Sequence, residues 1–82
     1  MPGKNDPVKF EIISQIGIIS TSKTGWQTEV NRVSWNDGIP KYDIRTWSPD
    51  HTKMGKGITL TDEELEKLSA ILADEVAFLQ NE

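Results

Sequence analysis

The chain has 82 residues, 35% hydrophobic and 27% charged, which is one small globular domain with no room for a second. Cysteine is absent, excluding a disulfide framework, a thiol nucleophile and a cysteine-based zinc site, and no apolar run reaches the ~20 residues of a membrane span or forms a signal peptide. The net charge of −4 and pI of about 4.9 speak, at face value, against nucleic acid.

Residues 1–8 are turn-rich and read as a flexible lead-in to a single domain over 9–82. Phe10, Ile12, Ile16 and Ile18 fall on even positions, a period of two that predicts a strand over residues 9–20. Ser20-Thr21-Ser22-Lys23-Thr24-Gly25 reads as a hairpin loop, followed by a second strand from Trp26 to Trp35. Asn36-Asp37-Gly38 is a strong turn signal, and the third strand runs from Lys41 to Trp47. Ser48-Pro49-Asp50-His51 breaks that strand, and a short one around Gly57–Leu60 leads into a helix. Thr61-Asp62-Glu63-Glu64 fits a capping box with Thr61 as N-cap. Leu65, Leu68, Leu72, Val76 and Leu79 then recur at helical spacing and predict a core-facing stripe. Ile71 and Phe78 form a second stripe, which reads either as a wide core face or as a contact with another subunit. The order β-β-β-β-α with short turns predicts an α+β fold: a four-stranded curved antiparallel sheet and one C-terminal helix, leaving one sheet face open.

Turn parity gives a first estimate of register. Loops with an even residue count place Phe10, Ile12, Ile16, Ile18, Val33, Trp35, Tyr42 and Ile44 on a core face. Lys9, Trp26, Arg32, Lys41, Arg45 and Trp47 then share the open face; a bulge or a three-residue loop would exchange Trp26 with Trp35. Cations interleaved with exposed aromatics suit single-stranded nucleic acid, because cations neutralise phosphates and flat rings stack on unpaired bases. The competing reading is a solvated face over core tryptophans. The residues alone leave both readings open, although uneven charge can report a partner that the total hides. Residues 1–60 carry eight basic and six acidic side chains, a net of +2, whereas 61–82 carry Lys67 against seven acids, a net of −6.

Tyr42-Asp43-Ile44-Arg45-Thr46-Trp47, then Pro49-Asp50, then Lys56-Gly57-Ile58-Thr59-Leu60 ahead of the capped helix, closely resembles the C-terminal domain of the transcriptional coactivator family called positive cofactor four. That resemblance covers residues 30–70 well and looks like a short, stand-alone prokaryotic form. It implies a homodimer joined through helices and sheet ends, binding single-stranded or unwound DNA with little sequence preference. Arg45 matches the family's strand-three arginine, Lys56 the lysine before the glycine, and Trp47 one of two aromatics after the arginine. The second turn departs from the family pattern, since it holds no lysine before Lys41; Lys23 and Trp26 are candidates to supply that cation and ring.

Other chemistry is poorly supported. His51, the single histidine, sits in a polar turn and reads as a surface residue. No histidine pair supports a metal site, Gly55-Lys56-Gly57 is too short for a Walker-type loop, and the serines lack a base partner. The sequence therefore predicts a non-enzymatic, cofactor-free and metal-free protein of the cytoplasm and nucleoid. Its phosphate contacts are expected from Lys23, Arg32, Lys41, Arg45, Lys53 and Lys56. Stacking is expected from Trp26 and Trp47 with Trp35 in reserve, and subunit contact from Ile71 and Phe78. RNA on the same face, or a transcription or replication protein docked on the acidic helix, are the alternatives; no membrane is implied.

Overall fold

The computed structural model describes residues 9–81, so the expected lead-in over 1–8 lies outside the described residues. Strands form where β-branched and aromatic residues lie between turn signals: β1 Phe10–Thr21, β2 Gln27–Trp35, β3 Lys41–Trp47 and β4 Met54–Leu60. α1 follows over Asp62–Gln80. The strands make one antiparallel sheet in the order β1-β2-β3-β4, so the α+β architecture is as expected. β4 starts at Met54 rather than Gly57 because the Ser48 N–H donates to Lys53 O at 3.0 Å and closes the preceding loop early.

The register differs from the parity estimate, for two physical reasons. Asn36 (φ 52°) and Asp37 (φ 61°) are left-handed, and the Gly38 N–H reaches Trp35 O at 2.8 Å, a type I′ turn. Ile39 and Pro40 still intervene before β3, so an odd number of residues joins the strands and odd positions face odd positions. Glu29 pairs with Arg45, Asn31 with Asp43 and Gln27 with Trp47. In β1, three register shifts leave Ile13, Ile16 and Ile19 as extra residues, and twelve residues oppose nine of β2. Phe10 and Ile12 share a face with Trp35 and Val33 as expected, but Gln15, Ile18 and Thr21 continue that face beyond the bulges. The bulges also blunt an otherwise long apolar edge strand.

Two faces result. The inner face carries Phe10, Glu29, Asn31, Val33, Trp35, Asp43, Arg45 and Trp47; of these, Glu29, Asn31, Val33, Asp43 and Trp47 are all at most 1% exposed. Tyr42 and Ile44, expected beside Val33, instead lie on the opposite face with Arg32 and Val30. Ile16 and Ile18, expected in the core, are exposed. On this helix face Val30, Ile44 and Ile58 form a row across three strands.

The capping box is present: Thr61 Oγ1 accepts from the Glu64 N–H at 3.2 Å and Glu64 Oε1 accepts from the Thr61 N–H at 2.9 Å. Beyond it α1 leaves the sheet. Leu65 and Leu68 are half-buried, whereas Leu72, Val76, Leu79, Ile71 and Phe78 are exposed. The expected core stripe is thus covered only at its start. A radius of gyration of 15.1 Å, against about 12 Å for a compact chain of this length, reflects the projecting helix.

Candidate nucleic-acid interface

Arg45 stands at the centre of the inner face. Its Nε and Nη2 donate to Asp43 Oδ2 and Oδ1 at 2.6 and 2.7 Å, a bidentate pair with a fully buried carboxylate. The guanidinium lies 4.8 Å over the Trp35 ring, Nη1 donates to Gly55 O at 3.4 Å, and Thr59 Oγ1 donates to Asp43 Oδ1 at 3.0 Å. Gly57, opposite Arg45, has a structural reason: a Cβ there would collide with Arg45 Cβ and the Ile44 carbonyl. Arg45 and Trp35 are therefore brought together, but with the charge of Arg45 matched by Asp43.

Trp47, expected as an open stacking ring, is fully buried. Phe10 packs 5.1 Å from it and His51 5.6 Å from it, and Phe10 also meets Trp35 at 6.0 Å. The correction follows from register: the odd β3 positions face the same side as Glu29, Asn31 and Val33, where β1 and the loop after β3 cover them. Trp26 stays half-exposed. It lines a shallow pocket of about 300 Å³ with Ser48, Pro49, Asp50, Thr52 and Lys53. The two loops meet at this end of the sheet, where a Cβ built on left-handed Gly25 (φ 90°) would lie 3.1 Å from Pro49 Cγ. Lys23 belongs to the first loop, and exposed Lys56 follows on β4.

Arg32 and Lys41 lie elsewhere. They line a second depression of about 420 Å³ with Ile39, Pro40, Thr61 and Asp62, at the opposite end of the sheet. Arg32 sits 5.0 Å over the Tyr42 ring on the helix face and approaches Asp62 at 3.5 Å. The open face drawn from parity is thus split, with Arg32 on one side and Arg45 on the other. Lys9 is bound by Asp37 at 2.7 Å, and that hydrogen bond raises its pKa. Lys23, Lys41, Lys53 and Lys56 make no salt bridge among the described residues.

Sequence reasoning missed the polar scaffold of this end. His51, read as a surface residue, takes a left-handed φ of 60° and points Nε2 at the buried Glu29 carboxylate, 2.9 Å from Oε2. Asn31 Nδ2 donates to Glu29 Oε1 at 3.0 Å. Asp50 Oδ1 accepts from Thr52 Oγ1 (2.7 Å), the Thr52 N–H (3.1 Å) and Ser48 Oγ (2.9 Å), which holds the Asp50 carboxyl down at about 2. The one available signal was the loss of apolar alternation at Glu29 and Asn31, which marks buried polar partners rather than a surface.

Ile71 and Phe78 flank a third depression with Asp74 and Glu75. Leu65, Leu68, Leu72 and Val76 point the other way. With Ile19, Val30 and Ile44 they line an apolar groove of about 620 Å³ between α1 and the sheet.

A family model described as Transcriptional Coactivator p15 (PC4) matches residues 22–71, from the first hairpin loop into the middle of α1. A protein of Treponema pallidum (strain Nichols), itself described as uncharacterized, is 48% identical over 68 residues, spanning 83% of this chain and 80% of its own.

Proposed function

The chain belongs to the Transcriptional Coactivator p15 (PC4) family, and from that membership we propose that it binds single-stranded or unwound DNA as a homodimer, with little sequence preference, in transcription, replication or repair. The family's DNA binding and coactivation carry the coarse part of this reading. The finer part rests on one observation: an end of the sheet where Lys53 lies beside the half-exposed Trp26 ring and makes no salt bridge among the described residues, with Lys23 in the neighbouring loop. Lysines there neutralise phosphates and Trp26 stacks on a base. Arg45, held by Asp43 and stacked over Trp35, forms a rigid floor behind them, and Trp47 acts from beneath as packing. Lys41 marks the far end of the sheet, whereas Arg32 lies on the helix face beside Asp62 and falls outside this contact.

A dimer is supported by the apolar groove between α1 and Val30 and Ile44, which a second copy's helix would fill; Ile71 and Phe78, on the opposite flank of α1, are the alternative contact.

The test is intrinsic tryptophan fluorescence on adding oligo-dT at low and high salt. Quenching at low salt is expected, with log K falling by about 0.7 per neutralised phosphate for each decade of salt. No quenching at low salt and micromolar protein sinks the reading. Competition by oligo-U measures any RNA preference.

A further inference from the structure

We propose that the pocket beside Trp26 is a subsite for one base, and that Asp50 makes it favour a base bearing an exocyclic amine over thymine. The inference rests on the single-strand reading above.

Three observations carry it. The pocket is lined by a ring (Trp26), a cation (Lys53) and a carboxylate (Asp50), the groups needed to stack a base, neutralise its phosphate and contact its edge. The carboxylate is oriented: Oδ1 accepts three hydrogen bonds, from Ser48 Oγ, Thr52 Oγ1 and the Thr52 N–H, while Oδ2 accepts none among the described residues. The loop bearing it is fixed at both ends and in its middle. The Ser48 N–H donates to Lys53 O at 3.0 Å, the Lys53 N–H donates to Ser48 Oγ at 3.0 Å, and His51 is held by Glu29.

An ionised carboxylate is an acceptor only. Asp50 stays ionised throughout the physiological range because its hydrogen bonds hold its pKa at about 2. Stacking on Trp26 tolerates any base, so selection falls to the edge. Cytosine offers its N4 amine to Oδ2, the pairing carboxylates make with cytosine in general. Thymine, equal in size, offers the O4 carbonyl at the same position and sets oxygen against oxygen. One such subsite in a longer contact gives a mild preference, compatible with broad binding of single strands.

The experiment is fluorescence anisotropy with end-labelled oligo-dC and oligo-dT of equal length, at neutral pH and fixed salt, on the full chain. The wild type is expected to bind oligo-dC about 3–10-fold more tightly, less than a full bidentate contact gives. Asp50→Asn keeps an acceptor for the loop hydrogen bonds and places an amide donor at the free position, so the preference should vanish or reverse. Its circular dichroism spectrum and its melting midpoint at neutral pH report whether the fold is intact. Trp26→Ala should weaken both oligonucleotides. Equal wild-type affinities, or a preference that survives Asp50→Asn, overturn the subsite while leaving single-strand binding standing. Failure to bind either oligonucleotide overturns both readings.

Discussion

His51 Nε2 lies 2.9 Å from Glu29 Oε2 and 3.1 Å from Oε1, tying the loop after β3 to a carboxylate on β2 that is 1% exposed. This contact holds a non-glycine residue in the left-handed region and gives a buried charge its second partner after Asn31. His51→Ala leaves Glu29 under-satisfied and should cost about 1–3 kcal/mol in urea unfolding. It should also weaken oligo-dT binding, because Lys53 and Pro49 lose their fixed position. Glu29→Gln keeps the shape and removes the charge, so it should cost less than His51→Ala. The reverse order would show that the Glu29 carboxylate itself matters more than its tie to the loop.

Arg45 and Asp43 are a buried pair, with side chains 14% and 0% exposed. Removing one partner of such a pair strands the other, so Arg45→Ala should destabilise the fold by about 3–5 kcal/mol. Arg45→Ala therefore tests the fold first and phosphate contact second. Arg45→Lys retains the charge but loses the bidentate geometry and the stacking on Trp35, and its unfolding midpoint should fall between wild type and Arg45→Ala. A normal midpoint in Arg45→Ala would mean that Asp43 finds another partner.

Gly57 packs flat against β3. Gly57→Ala places a methyl group on Arg45 Cβ and the Ile44 carbonyl, backbone that cannot yield cheaply. The variant should lose stability by about 1–3 kcal/mol, the cost of overpacking a core. Calorimetric melting should show this, whereas Gly17→Ala, where nothing stands within 4 Å, should be far milder.

Element type and order were legible in the sequence because each signal was local: an alternating run, a turn tripeptide, a capping box. The α1 start at Thr61 needed only residues 61–64. Register was not legible, because it depended on Ile39 and Pro40 lengthening one connection and on three isoleucines bulging from β1. Both features flip side chains between faces without changing any local pattern. Arg45 and Trp47 were thereby placed correctly on one face with each other and wrongly with Arg32. Of the candidate site, the cations and Trp26 were legible as candidates, but not which of them the fold brings together. The carboxylates and His51 that hold them were not legible, since a polar residue in a strand reads as exposed until its partner, 22 residues away for Glu29 and His51, is known.

Acid should loosen two local structures. Asp50 is held at about 2 against an ordinary 3.8, chiefly by the Thr52 side chain and then the Thr52 backbone. Glu64 is held below 4.5 by the Thr61 N–H. A carboxyl whose folded pKa is depressed contributes stability that is present above its unfolded pKa and lost as pH falls through its folded one. For Asp50 that window runs from 3.8 down to about 2. Melting temperature should decline across it, and Asp50→Asn should flatten the decline. An unchanged profile would show that the loop opens without affecting global stability. At the helix start, Thr61→Ala should cost about 0.5–2 kcal/mol at neutral pH.

A subunit contact would cover what α1 leaves exposed. α1 buries none of its residues within one chain, yet Leu72 and Val76 face Ile19, Val30 and Ile44 across an apolar groove. A single chain would leave that surface in water, an arrangement that soluble monomers avoid at this extent. Sedimentation of the wild type at tens of micromolar should therefore show a dimer. Val76→Asp puts a charge into the groove and should yield monomer with reduced helix content, because burying an unpaired carboxylate is strongly unfavourable. Ile71→Asp and Phe78→Asp act on the opposite flank of α1, beside Asp74 and Glu75. If the groove is the main contact they should weaken the dimer less than Val76→Asp does. If they abolish it while Val76→Asp does not, the second stripe is the interface. A strictly monomeric wild type would remove the dimer from the reading altogether and leave each sheet to bind DNA alone.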